Sequence, residues 1–142
     1  MNEMAVADRW LYSVFSQLGT AYNGCVPKKG TFPCIVFACL GGSDLNVPSQ
    51  HIWAELNYIV KVWGTEPQDT LFDSACAAIE RAQGVTTDYG YIQSCARQSV
   101  SASQETETNI TYYSREATFR IRVKPGEQVP EQTSGESETE GE

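Results

Sequence analysis

The sequence is poor in the residues that carry most small-protein chemistry. It has one histidine, His51, so a His-rich metal cluster cannot be built from the chain alone. It contains no G-x-S-x-G, no H-E-x-x-H and no Gly-rich phosphate loop ending in Lys-Ser/Thr. Gly41-Gly42-Ser43-Asp44 is too short for such a loop and lacks the lysine. No two of the five cysteines stand at C-x-x-C spacing, and their number is odd. That argues against a disulfide framework and a zinc ribbon, and for reduced thiols used as small core hydrophobes in a reducing compartment. The longest apolar stretch, Cys34–Leu40, is far below the ~20 residues of a membrane span. The N-terminal residues have no basic start followed by a long apolar run, so no secretory signal is expected.

Positive charge is missing from the end of the chain. All ten Lys and Arg lie at or before Lys124, whereas six of the 18 acids follow it. The net charge of −8 therefore resides mostly in the C-terminal segment, and residues 1–124 carry only −2. There is no basic surplus of the kind that drives general nucleic-acid binding. Residues 125–142 have one apolar side chain besides proline, Val129, and cannot bury enough surface to offset their ordering entropy. The expectation is one domain over 1–124 and an acidic, flexible tail over 125–142.

What is present is amphipathic patterning. In residues 4–18, Val6, Trp10, Leu11, Val14, Phe15 and Leu18 recur at helical spacing, with Gly19 as a stop. Residues 19–33 hold turn signals and two prolines and read as a loop. Cys34–Leu40 reads as a short strand between Pro33 and Gly41-Gly42. Residues 41–51 read as a long polar connection, and such loops are often binding elements. Residues 52–63 alternate strictly, predicting a strand with Ile52, Ala54, Leu56, Tyr58, Val60 and Val62 on one face and Trp53, Glu55, Asn57, Ile59, Lys61 and Trp63 on the other. A second helix is expected over 67–82, with Pro67 at its start and Gly84 ending it. Residues 89–100 read as a weaker strand, 101–109 as a polar linker or hairpin loop, and 110–124 as a clear strand. The predicted fold is α+β: a two-layer sandwich with a mostly antiparallel four-stranded sheet, two helices on one face, and the order α-β-β-α-β-β.

Two features stand out. Arg120, Arg122 and Lys124 form a basic stripe on one face of the last strand. It is either a solvated face with intramolecular partners such as Glu55, or an intersubunit surface that meets a neighbour's carboxylates. The second is a surplus of strand aromatics: Trp53, Tyr58, Trp63, Tyr91, Tyr112, Tyr113 and Phe119. They cannot all fit inside a small two-layer domain, and Trp and Tyr are favoured anchors between chains. By contrast, Asp69 and Asp73 read as the solvated side of the second helix, and His51 as an ordinary surface or interface residue. No catalytic, cofactor-binding or metal-binding residue is assigned, and the chain reads as a non-enzyme.

The segments Ala7-Asp8-Arg9-Trp10-Leu11-Tyr12, Phe32-Pro33-Cys34-Ile35-Val36-Phe37, Gly42-Ser43-Asp44, Trp53 through Val62, the helix 67–82 and Ala117 through Val123 occur in an order that resembles the tail-terminator, or tail-completion, proteins of long-tailed, siphovirus-like bacteriophages. The resemblance spans residues 5–124 and leaves out the acidic tail. It implies a virion structural subunit, made in the host bacterial cytoplasm, that forms a ring, expected to be a hexamer. The ring would cap the head-proximal end of the tail tube, end its polymerisation and join tail to neck. The implied partners are further copies of the chain, the major tail-tube protein and a head-completion or neck protein. Genomic DNA would pass through the lumen without sequence readout, and no membrane would be involved. The alternative is a head-closure or other neck adaptor, or a monomeric binding module. Candidate intersubunit or partner contacts are Trp53, Trp63, Arg120, Arg122 and Lys124, with Asp44 and His51 from the 41–51 connection.

Overall fold

Alternation over residues 52–63 becomes β3, the centre of a mixed six-stranded sheet with two helices, in a computed structural model that describes residues 2–47 and 50–125, with side chains except at 45–47, 50–52 and 125. The elements are α1 (Glu3–Phe15), β1 (Thr20–Asn23), β2 (Cys34–Val47), β3 (Gln50–Gly64), α2 (Asp69–Ile79), β4 (Gln83–Thr86), β5 (Gly90–Glu107) and β6 (Ile110–Pro125). In space the strands run β1-β2-β3-β6-β5-β4. β1 pairs with β2 in parallel, and the other neighbours are antiparallel. The sheet curls into a half-barrel.

This corrects the expected architecture. The sheet is not four-stranded and antiparallel, and the chain order is α-β-β-β-α-β-β-β rather than α-β-β-α-β-β. β1 lies in the stretch expected to be a loop, and β4 occupies the stretch expected to end the second helix. α2 stops at Ile79, and Arg81 takes a left-handed φ of 66°. The backbone there is tied to β5, with Arg81 N donating to the Cys95 carbonyl at 2.9 Å and Cys95 N to the Ala82 carbonyl at 3.0 Å. Most of the expected 41–51 connection and of the 101–109 linker is strand as well, extending two hairpins. Chain residues 126–142, most of the acidic tail, lie outside the described residues.

The β5–β6 hairpin shows how polar sequence makes strand. Thr108 and Asn109 have φ of 51° and 65°, as in the two-residue I′ turn that matches strand twist. Hydroxyl pairs then link the arms: Ser99 with Thr118 at 2.6 Å, Ser103 with Ser114 at 2.7 Å and Thr106 with Thr111 at 3.0 Å.

The core lies on the face against which both helices pack. Val6, Ala7, Trp10, Leu11 and Phe15 of α1 and Phe72, Ala75, Cys76 and Ile79 of α2 meet alternate residues of the central strands, including Tyr58, Val60, Phe119 and Ile121. Asn2 caps α1, accepting from Ala5 N at 2.8 Å. Tyr58, fully buried, donates its hydroxyl to Asp8 at 2.7 Å and so ties α1 to the middle of the sheet. Burial, then the hydrogen bond and charge of Asp8, hold this phenol far above its ordinary pKa.

Candidate functional site

Residues directly opposite on paired strands share a face, so the register defines what lies on the side away from the helices. β3 contributes Trp53, Glu55, Asn57, Ile59, Lys61 and Trp63, and β6 contributes Ser114, Glu116, Thr118, Arg120 and Arg122 across from them. β2 adds Cys34, Val36 and Ala38. No helix packs on this face among the described residues, and it divides into two halves.

One half is charged. Arg122 Nε donates to Glu55 at 3.0 Å, and Arg120 Nε lies 3.8 Å from the same carboxylate. The Arg122 guanidinium also sits 5.7 Å from the centre of the Trp53 ring. Lys124, exposed, continues the stripe at the end of β6. The structure thus brings Trp53, Arg120 and Arg122 together around Glu55, with Lys124 farther along the same strand. Both arginines have an intramolecular partner, yet they share one carboxylate between them.

The other half is a groove of about 640 Å³. Val36, Ala38, Ile59 and Trp63 line it from the sheet, with residues 24–28 on one side and Glu105, Glu107 and Tyr112 of the hairpin on the other. Phe32 stacks on Tyr112 with ring centres 5.0 Å apart, pinning the 24–33 loop to β6. Trp63 belongs here, with Lys61 Nζ 5.9 Å from its ring, and is therefore separated from Trp53 by ten residues of strand, ~33 Å. Cys34 is fully buried in this region and Val36 nearly so, yet neither joins the main core.

Two expected contacts fall elsewhere. Asp44 is exposed on β2 opposite Ala54, on the helix side of the sheet. His51 is in β3 opposite Asn46, and its side chain lies outside the described part. Asp69 takes an ion pair from Arg115 Nε at 2.8 Å, and Asp73 is exposed. Sequence reading missed the groove. Its one available signal was Phe32-Pro33 entering β2, with Val36 and Ala38 at period two.

Burial raises three of the thiols. Burial pushes Cys34 up to about 11 and Cys95 up to about 12, and it raises Cys76 against the pull of Arg97. All five cysteines are free, and of these only Cys25 is exposed. Among the described residues no three His, Cys, Asp or Glu side chains gather to hold a metal ion, and no helix is long and apolar enough to cross a membrane.

No protein-family model matches the chain, and no curated protein does. One similar solved structure is a chain of the virion of a native gene transfer agent (GTA) particle. It is 20% identical, with a TM-score of 0.49, and the match covers 85% of this chain and 88% of that one. A likeness of that degree assigns neither family nor role, and the tail-terminator family is not shown by these comparisons.

Proposed function

We propose that the chain is a non-enzymatic virion structural protein that forms a ring, expected to be a hexamer, on the head-proximal end of a phage tail tube. There it ends polymerisation of the tube and joins the tail to the neck. The observation that carries this reading is the sheet face away from the helices. A subunit with no neighbour has little reason to leave Trp53 and Trp63 partly exposed on a long sheet face that no helix covers among the described residues, with surplus positive charge beside one of them. Order along the sequence of the segments that resemble tail-terminator proteins supplies the specific role.

A head-closure or other neck adaptor fits the same surface and differs in position rather than in physics. Native mass spectrometry of the full chain, alone and mixed with tail tubes, tests the reading. A closed oligomer, alone or on tube ends, is the expected result, with particles lacking the protein showing overgrown or headless tails. A chain that stays monomeric up to tens of micromolar and never associates with tube ends would overturn it. A ring found between the neck and the capsid, and not on the tube, would select the adaptor.

A further inference from the structure

β4 covers only the first part of β5: its register runs from Gln83 opposite Ser94 to Thr86 opposite Tyr91. Beyond the Cys95 link to Ala82, residues 96–107 of β5 are exposed throughout and have no strand on the side away from β6 among the described residues. β1 likewise covers only Cys34 to Phe37 of β2, and among the described residues nothing pairs with 38–47 on that side. A row of unpaired backbone groups is a template for another strand.

The two open edges are complementary. Asn57 lies opposite both Gly41 and Arg120, and Arg120 lies opposite Ala96, so Gly41 and Ala96 are level across the sheet. From that level the open part of β5 runs toward the 108–109 turn. Most of the open part of β2 runs the other way. The edges are therefore on opposite sides and at opposite ends, of ten and twelve residues, and antiparallel to each other. The short strands β1 and β4 form the steps that bound them. Leu40 and Val100, 60% and 57% exposed, stand one on each edge.

We propose that copies of this chain join edge to edge, residues 96–107 of β5 in one copy pairing antiparallel with residues 38–47 of β2 in the next, to make one continuous sheet. This deepens the ring reading and rests on it. The midpoints of the edges differ by about seven residues, a rise of ~24 Å over the four strands, ~19 Å wide, by which each joint advances one copy. Charge agrees with the pairing. Arg97, at the start of one edge, comes within a few residues of Asp44 near the end of the other, while Glu105 and Glu107 approach the end of β2 that adjoins the Lys28-Lys29 loop.

The two-residue turn fixes which amides point outward. Glu107 and Ile110 form the closing bonded pair, so alternate residues back to Ser99 bond β6, and Val100, Ala102, Gln104 and Thr106 face the open side. Proline is tolerated at such outward positions. The test is the full chain carrying Ala102→Pro and Gln104→Pro, followed by native mass spectrometry and circular dichroism. Wild-type protein is expected to assemble, and the folded double variant to associate at least tenfold more weakly. Hydrogen exchange on wild-type protein, dilute against assembled, gives a second readout that needs no variant. Amides of both 96–107 and 38–47 are expected to slow at least tenfold on assembly. Assembly with unchanged exchange at these edges, or a folded proline variant that assembles normally, would overturn edge pairing and leave the ring standing. Protection of β5 alone in a closed dimer would overturn the pairing with β2. A wild-type chain that never assembles would overturn the ring and this inference together.

Discussion

On the helix side of β3, Ala54, Leu56, Tyr58, Val60 and Val62 are at most 6% exposed, whereas on the other side Trp53, Glu55, Ile59, Lys61 and Trp63 are all only half-buried. The same strand supplies both sets, one residue apart. The helix side is closed by packing, with Tyr58 and Asp8 as a strong polar link to α1. The open side is organised by ion pairs and ring contacts that leave room for another chain. Fold stability therefore belongs to one face, and the proposed association is assigned to the other face and to the edges.

The largest test of that division is Phe119→Ala, which empties a fully buried site on the helix side and is expected to cost about 3–5 kcal/mol in urea unfolding. A loss below about 1 kcal/mol would show that this face is not the main core.

Alkali comes next and probes both sides, since Cys95 lies in the helix-side core and Cys34 outside it. Both thiols are raised by burial from 9.0, to about 12 and about 11 respectively. A thiol that ionises more easily when unfolded stabilises the fold fully below about 9 and loses that contribution as pH rises through 11–12. The Tm should hold steady from neutral pH to near 9 and then fall, with Cys95→Ala and Cys34→Ala each flattening part of the decline. A Tm that falls in the same way in both variants would assign the loss to other groups.

Tyr58→Phe takes the hydroxyl from Asp8 and is expected to cost about 1–3 kcal/mol, read by chemical denaturation. A neutral result would mean that water replaces the bond without penalty and that α1 is held by packing alone.

Smallest in stability is Glu55→Gln, which weakens the pairs with Arg120 and Arg122 at a partly exposed site and should cost less than about 1 kcal/mol. A cost above about 2 kcal/mol would make the charged half of the open face part of the fold, against the division proposed above.

Legibility in the sequence follows the same division. Both helices and the cores of β2, β3 and β6 were readable because one-sided burial imposes a period on the side chains. Period two in Ala117, Phe119, Ile121 and Val123 is the imprint of the buried face itself. β1 and β4, four residues each, are too short to show a period and exist by pairing with a neighbour. The arms of the β5–β6 hairpin are polar on both sides, so burial wrote no alternation there. Backbone pairing and hydroxyl links make them strands, and the tight turn at Thr108-Asn109 is seen only in the backbone. At the site, the Arg120–Lys124 stripe and its Glu55 partner were visible because charge and period coincide. The groove was not, since residues 24–32 and Tyr112 meet only through the curl of the sheet.

β6 ends at Pro125, which pairs with Gly90 at the opposite end of the sheet from the 108–109 turn. Everything that follows Pro125 in the chain therefore starts from that end of each molecule. In any array of like-oriented copies, the six-glutamate segments would begin at one rim, and Glu105 and Glu107 would crowd the other. The two mouths of such an array would differ, Glu105 and Glu107 standing near one and Lys124 and the exit of the chain at the other, so a body fitted to one would not be interchangeable with a body fitted to the other.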